Sequence, residues 1–124
     1  MQLHQNKKIY FASDQHFGAP TPELSFPREK LFVKWLDEIK HDAQVLFLLG
    51  DLFDFWFEYK TVVPKGFVRV LGKLAELKDM GIEIHFFVGN HDLWMNDYFE
   101  KELQIPVYHS SKIFKFNSKS FFIA

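Results

Sequence analysis

The sequence predicts an α/β domain with a parallel βαβαβ core, followed by a short helix and a β-hairpin. Three short apolar runs alternate with two stretches whose apolar residues recur at helical spacing, and each run is closed by a glycine or an acid. Strands joined by helical crossovers run parallel, because a right-twisted strand feeding a right-handed helix packs back onto its sheet only that way. Their carboxyl ends then share one edge.

The first run, Lys8 to Ser13, is β-prone and stops at Asp14. Pro27 opens an amphipathic segment with Leu31, Phe32, Trp35, Leu36 and Ile39 at helical spacing, proline being favoured in a first turn. Val45 to Leu49 is continuously apolar, as in a strand buried on both faces, and ends at Gly50. The second helix is expected over Gly66 to Met80, where Phe67, Val70, Leu71, Leu74 and Leu77 share a face and Gly81 provides the stop. Ile82 to Val88 is the third strand, closed by Gly89.

A weaker helical pattern over Asp97 to Leu103 leads to an extended stretch, Pro106 to His109. Ile113 to Phe116 and Phe121 to Ile123 then flank an Asn117-Ser118 turn as a hairpin. The closing run Ser120 to Ala124 is apolar and β-like with no turn after it, so residues 1–124 read as one incomplete domain.

A length of 124 residues suits one folding unit. With 15 basic against 16 acidic side chains there is no field to recruit nucleic acid or an anionic surface. The lack of cysteine excludes disulfides, thiolate ligands and a cysteine nucleophile, so a metal must sit on oxygen and imidazole. No stretch approaches the roughly 20 apolar residues of a membrane span. The 16 phenylalanines serve either a dense core or an apolar ligand surface, and composition alone does not choose.

Polar clusters follow each of the three strands: Asp14-Gln15-His16, then Gly50-Asp51-Leu52-Phe53-Asp54, then Gly89-Asn90-His91-Asp92. In a parallel sheet, ligands bind outside the carboxyl ends of the strands, where these clusters converge. Asp14 and His16, two residues apart on an extended segment, can chelate one ion. Asp51 presents two oxygens able to bridge two cations, and Asp54 better fits a supporting role or a turn cap. Asn90 offers a neutral carbonyl oxygen, while His91 can donate a proton or hydrogen bond to phosphate, with Asp92 expected to orient it. His85, inside the third strand, reads as a packed core histidine rather than a ligand.

Taken in order, these clusters resemble the Asp-x-His, Gly-Asp-x-x-Asp and Gly-Asn-His-Asp motifs of the calcineurin-like metallophosphoesterases, across nearly the whole chain. The resemblance implies the amino-terminal half of that family's α/β sandwich. It also implies two divalent ions, manganese being the favoured identity, on Asp14, His16, Asp51 and Asn90, with catalytic roles for His91 and Asp92.

Within the superfamily, Gly50 to Tyr59 is similar to the corresponding segment of the UDP-2,3-diacylglucosamine hydrolases of lipid A biosynthesis, although members of that subfamily carry Arg at the position of His91. That likeness implies release of UMP and a diacylglucosamine 1-phosphate in a cytoplasmic enzyme peripheral to the inner membrane. Asn90, His91, Phe53 and Trp56 are then expected to contact a nucleotide-sugar lipid, with no nucleic acid as partner. The family's later histidine motifs lie outside these residues, so the chain by itself is expected to be inactive and to self-associate through its open sheet edge. The alternatives are another metallophosphatase or phosphodiesterase of this fold, or a non-catalytic protein-interaction scaffold.

Overall fold

A computed structural model describes residues 2–123. Strands β1 (Lys8–Ala12), β2 (Ala43–Leu48), β3 (Glu83–Phe87) and β4 (Val107–Tyr108) form a sheet in that order, every neighbouring pair parallel. The helices α1 (Pro22–Ile39) and α2 (Val68–Asp79) make the first two crossovers, and a π-helical turn, Phe99–Leu103, precedes β4. The antiparallel hairpin β5 (Lys112–Phe116) and β6 (Lys119–Ile123) forms a separate two-stranded sheet. Element order and strand direction agree with the sequence reading, and β4 adds a fourth parallel strand to it.

Helix α1 begins five residues before the expected Pro27, which lies inside it. Thr21 accepts a hydrogen bond from the Leu24 N–H at 3.2 Å, and Pro22 takes the favoured first position. The proline inside the helix leaves the Glu23 carbonyl without its usual donor, but both residues are exposed, so water can serve it.

Side-chain alternation sends each central strand into two cores. Leu46, Leu48, Ile84 and Phe86 face the helices, where Leu36, Leu74 and Leu77 pack on them. Val45, Phe47 and Phe87 face the hairpin and meet Phe116 and Ile123. His85 lies on the hairpin side, stacked on Phe47 with ring centroids 5.2 Å apart. Its Nε2 is 2.6 Å from Glu83 Oε2 and its Nδ1 is 2.9 Å from the Tyr108 hydroxyl. A carboxylate only accepts, so Nε2 carries a proton and Nδ1 receives the tyrosine O–H. Among the described residues, no helix is long and apolar enough to cross a membrane.

The two helices are also joined by a closed ion quartet. Lys40 lies 2.6 Å from Asp37 and 3.3 Å from Glu76, and Lys73 lies 2.9 Å from Asp37 and 3.0 Å from Glu76. Hydrogen bonds from Lys40 and then Lys73 hold the Asp37 carboxyl down at about 2, against an ordinary 3.8. The quartet's support through Asp37 is therefore present above pH 3.8 and is lost as pH falls toward about 2. Asp37→Asn is expected to flatten the dependence of melting temperature on pH across that window. An unchanged slope would mean that the quartet is solvent-screened and contributes nothing.

Candidate metal centre

The tips of β1, β2 and β3 lie side by side because the three strands are parallel and in register. Backbone hydrogen bonds continue past the sheet: the Asp14 N–H donates to Gly50 O at 3.2 Å, and the His16 N–H donates to Asp51 O at 2.9 Å. Asp14, His16 and Asp51 all take left-handed backbone conformations, with φ of 60°, 48° and 51°. Such conformations cost on the order of 1–3 kcal/mol each in non-glycine residues and concentrate at functional sites. Gly89 is required here by space, since a Cβ on it would come within 2.3 Å of Asp51 Oδ1.

The side chains of Asp14, His16 and Asp51 converge. His16 Nε2 lies 3.7 Å from Asp14 Oδ1 and 3.8 Å from Asp51 Oδ2, and these three residues offer donors that all fall within 4.8 Å of one another. On the other side of the same ring, Nδ1 lies 3.4 Å from Asp54 Oδ1. A carboxylate beside Nδ1 favours the proton there and leaves the Nε2 lone pair facing Asp14 and Asp51. Asp54, His16 and His91 also offer donors that all lie within 4.8 Å of one another. In that group, however, His91 Nδ1 lies 2.9 Å from the Asp54 carbonyl oxygen, which can only accept, so this nitrogen is protonated and cannot ligate. Asp54 thus holds both histidines, the supporting position its spacing suggests. The free Nε2 of His91 is left for a ligand.

Asp51 uses its two oxygens in different directions. Oδ1 accepts the His91 N–H at 2.8 Å, while Oδ2 faces His16. Asn90 is exposed at the loop tip between Gly89 and His91. Arg28, which the sequence did not single out, donates to the carbonyls of Gln15, His16 and Ala19 and so braces the first loop from α1.

Three expectations change. Asp92 does not orient His91: it is fully buried and accepts from the N–H groups of Gly89 at 2.6 Å, Leu52 at 2.9 Å, Asp51 at 3.3 Å and Phe53 at 3.4 Å. Burial raises the Asp92 pKa and Asp51's charge adds to this, against the opposing pull of the Gly89, Phe53 and Asp51 N–H groups. Phe53 and Trp56, expected against a substrate, are both 0% exposed. They pack at a ring separation of 4.5 Å and each meets Phe99, so they belong to the helix-side core. The residues that do face solvent are Phe55, Phe57 and Tyr59, together with Leu93 and Trp94 from the next loop. Phe57 and Trp94 meet edge to face at 6.4 Å.

This fold and edge define a metallophosphoesterase. Residues 7–123 match the calcineurin-like phosphoesterase family, and the chain belongs to it. More particularly, it is 47% identical over 117 residues to UDP-2,3-diacylglucosamine hydrolase of Porphyromonas gingivalis, covering 94% of this chain and 45% of that protein. The hydrolase of the same name from Haemophilus influenzae strain Rd is 35% identical over 99 residues, 77% of this chain and 38% of the other. The chain thus spans less than half the length of these curated relatives.

Among solved structures, a protein of unknown function from Aquifex aeolicus superposes with a TM-score of 0.58 at 23% identity, over 92% of this chain and 57% of that one. The Pseudomonas putida nuclease MPE gives 0.51 at 21% identity, over 79% and 46%. Both support the fold.

Trp56→Ala is expected to lower stability by about 3–5 kcal/mol, while Phe57→Ala at the exposed position stays within about 0.5 kcal/mol. Denaturant unfolding of the two variants distinguishes core from surface, and similar losses would contradict the assignment. Asp92→Asn puts N–H groups where four backbone N–H groups need an acceptor, and is expected to cost about 1–3 kcal/mol in the same measurement.

Proposed function

We propose that this chain forms the metal-binding edge of a hydrolase that cleaves the phosphoric anhydride of UDP-2,3-diacylglucosamine, releasing UMP and 2,3-diacylglucosamine 1-phosphate. The observation that carries this reading is the cluster of Asp14, His16 and Asp51, with Asp54 on the far nitrogen of His16. An all-oxygen-and-imidazole donor set suits manganese or a similar divalent ion. Asp14 and His16 would hold one ion and Asn90 a second, with Asp51 between them.

Bound ions would supply charge for the phosphoryl oxygens and acidify a water. The chain's own residues do the positioning. Asp54 fixes the tautomer of His16 and anchors His91 through Nδ1–H, so that Nε2 can donate toward the departing oxygen only when the ring is the imidazolium. Asp92 fixes the loop that carries His91. The acyl chains would meet Phe55, Phe57, Tyr59 and Trp94, which continue outward from this edge and suit a lipid at a membrane surface. The exposed cross-strand pair Ile113 and Phe122 on the hairpin is the surface through which copies would associate.

The donors on this chain are few for two ions, so by itself it is expected to bind manganese weakly and to turn over no substrate. Titration followed by electron paramagnetic resonance should show Asp51→Asn abolishing that binding and Asp54→Ala weakening it about 10–100-fold. In the intact protein, UMP release from UDP-2,3-diacylglucosamine should be lost in Asp51→Asn. Unchanged manganese affinity in both variants would place the metal elsewhere, and hydrolysis of bis-nitrophenyl phosphate alone would remove the lipid substrate.

A further inference from the structure

Beside the metal edge lies a cavity of about 220 Å³ between the loop after β1, the first turns of α1 and the start of α2. It is lined by Gly18, Ser25, Phe26, Glu29 and Phe67, with Lys65 and Arg69 at its border. The metal cluster does not use it, yet it adjoins that cluster: Gly18 is two residues beyond His16, and Phe67 packs on Phe53 at 5.0 Å.

Two polar side chains in it are almost wholly buried, Ser25 at 2% and Glu29 at 4% exposure. They stand one helical turn apart on the same face of α1. Each keeps unused hydrogen-bonding capacity among the described residues. Ser25 Oγ accepts from the Gly18 N–H at 2.7 Å, which leaves its own proton to donate. Glu29 Oε2 accepts from the Val70 N–H at 3.2 Å, which leaves Oε1 as an acceptor. No buried side-chain oxygen among the described residues lacks a partner, so Glu29 Oε1 opens into the cavity, where a ligand that brings an N–H or O–H can reach it.

The rest of the lining narrows the class. Phe26 and Phe67 supply apolar lining, and the volume is below the roughly 300 Å³ at which drug-sized sites begin, so one heterocycle fits and an acyl chain does not. Arg69 and Lys30 both sit over the Phe26 ring, at 4.7 Å and 4.6 Å, and of the lining residues Arg69 and Lys65 make the mouth cationic. The complementary molecule is a flat ring with a donor N–H next to a carbonyl, carrying an anionic group outside.

We infer that this cavity is the nucleoside subsite of the hydrolase, where Glu29 accepts the N3–H of uracil and Ser25 donates to a neighbouring carbonyl. Arg69 and Lys65 then face the phosphate side. The assignment rests on the UDP-linked substrate proposed above, and it adds a discrimination: cytosine presents a lone pair at N3, which a carboxylate repels.

The test is an amide NMR titration of the chain with UMP, CMP and inorganic phosphate, in chelator so that metal plays no part. UMP should shift Gly18, Gly66 and Val68 and bind about tenfold tighter than CMP, the effect of one hydrogen bond to a charged group. Phosphate alone should leave those signals in place. Glu29→Gln retains an acceptor for the Val70 N–H and can donate to cytosine, so it should bind CMP at least as well as UMP, an inversion that misfolding cannot produce. Arg69→Gln should weaken UMP while leaving uridine unchanged.

Absence of shifts at the cavity, or equal binding of UMP and CMP by the unaltered chain, overturns the inference. The two readings fail separately. Selective UMP binding in an intact protein that hydrolyses no anhydride would leave the subsite and remove the hydrolase. Unaltered kcat/KM toward UDP-2,3-diacylglucosamine in Glu29→Gln would do the reverse.

Discussion

The carboxylate of Asp92 is the constraint on which the candidate metal edge depends. Where parallel strands end, their backbone N–H groups lose the neighbours that the sheet supplied, and buried donors must find other acceptors. One side chain from the loop after β3 receives the N–H groups of three consecutive residues after β2 and that of Gly89. It thereby fixes two loops against each other at the point where Asp51 and His91 must meet. Because Asp92 takes the structural work, the Asp51 carboxylate can point toward His16 and the first loop. The rise in Asp92's pKa shows what this arrangement works against, since burial disfavours the charge that makes it a good acceptor.

Close backbone approach follows from the same pinning. A Cβ on Gly50 would meet Gly89 backbone at 3.0 Å, so the two strand-end glycines let their loops touch. That contact brings residues from separate motifs together, at an edge where Asp14, His16 and Asp51 take left-handed conformations.

The parallel core was legible because apolar runs and helical spacing report burial directly, and the three clusters were legible because each immediately follows a strand. The early start of α1 was not, since Pro27 carries the expected signal of a first turn and the stronger one, Thr21 followed by Pro22, lies upstream in a polar stretch. Direction was the other loss. His91 and Asp92 are adjacent, and the sequence does not say which side chain enters the protein. The segment Phe53 to Tyr59 poses the same question, and it is answered by contacts from distant residues: Phe17 bridges to Phe53 and Trp94 to Phe57. These long-range pairings set which aromatics are inside. The role of Arg28 left no pattern at all, because it acts on carbonyls that any residue would present.

Half of the 16 phenylalanines follow from the sheet having two covered faces. A four-stranded sheet between two helices and a hairpin must fill two cores, and Phe47, Phe87 and Phe116 fill one while Phe17, Phe32, Phe53, Phe86 and Phe99 fill the other. The helix-side core runs up to the metal edge, for Phe17 directly follows His16 and Phe53 stands two residues after Asp51. Burying these rings anchors the loops from below, as Asp92 does from the side. The same chain segments therefore alternate between an anchor and a ligand, and this is why the candidate donors can hold a strained, polar arrangement at the end of an apolar sheet.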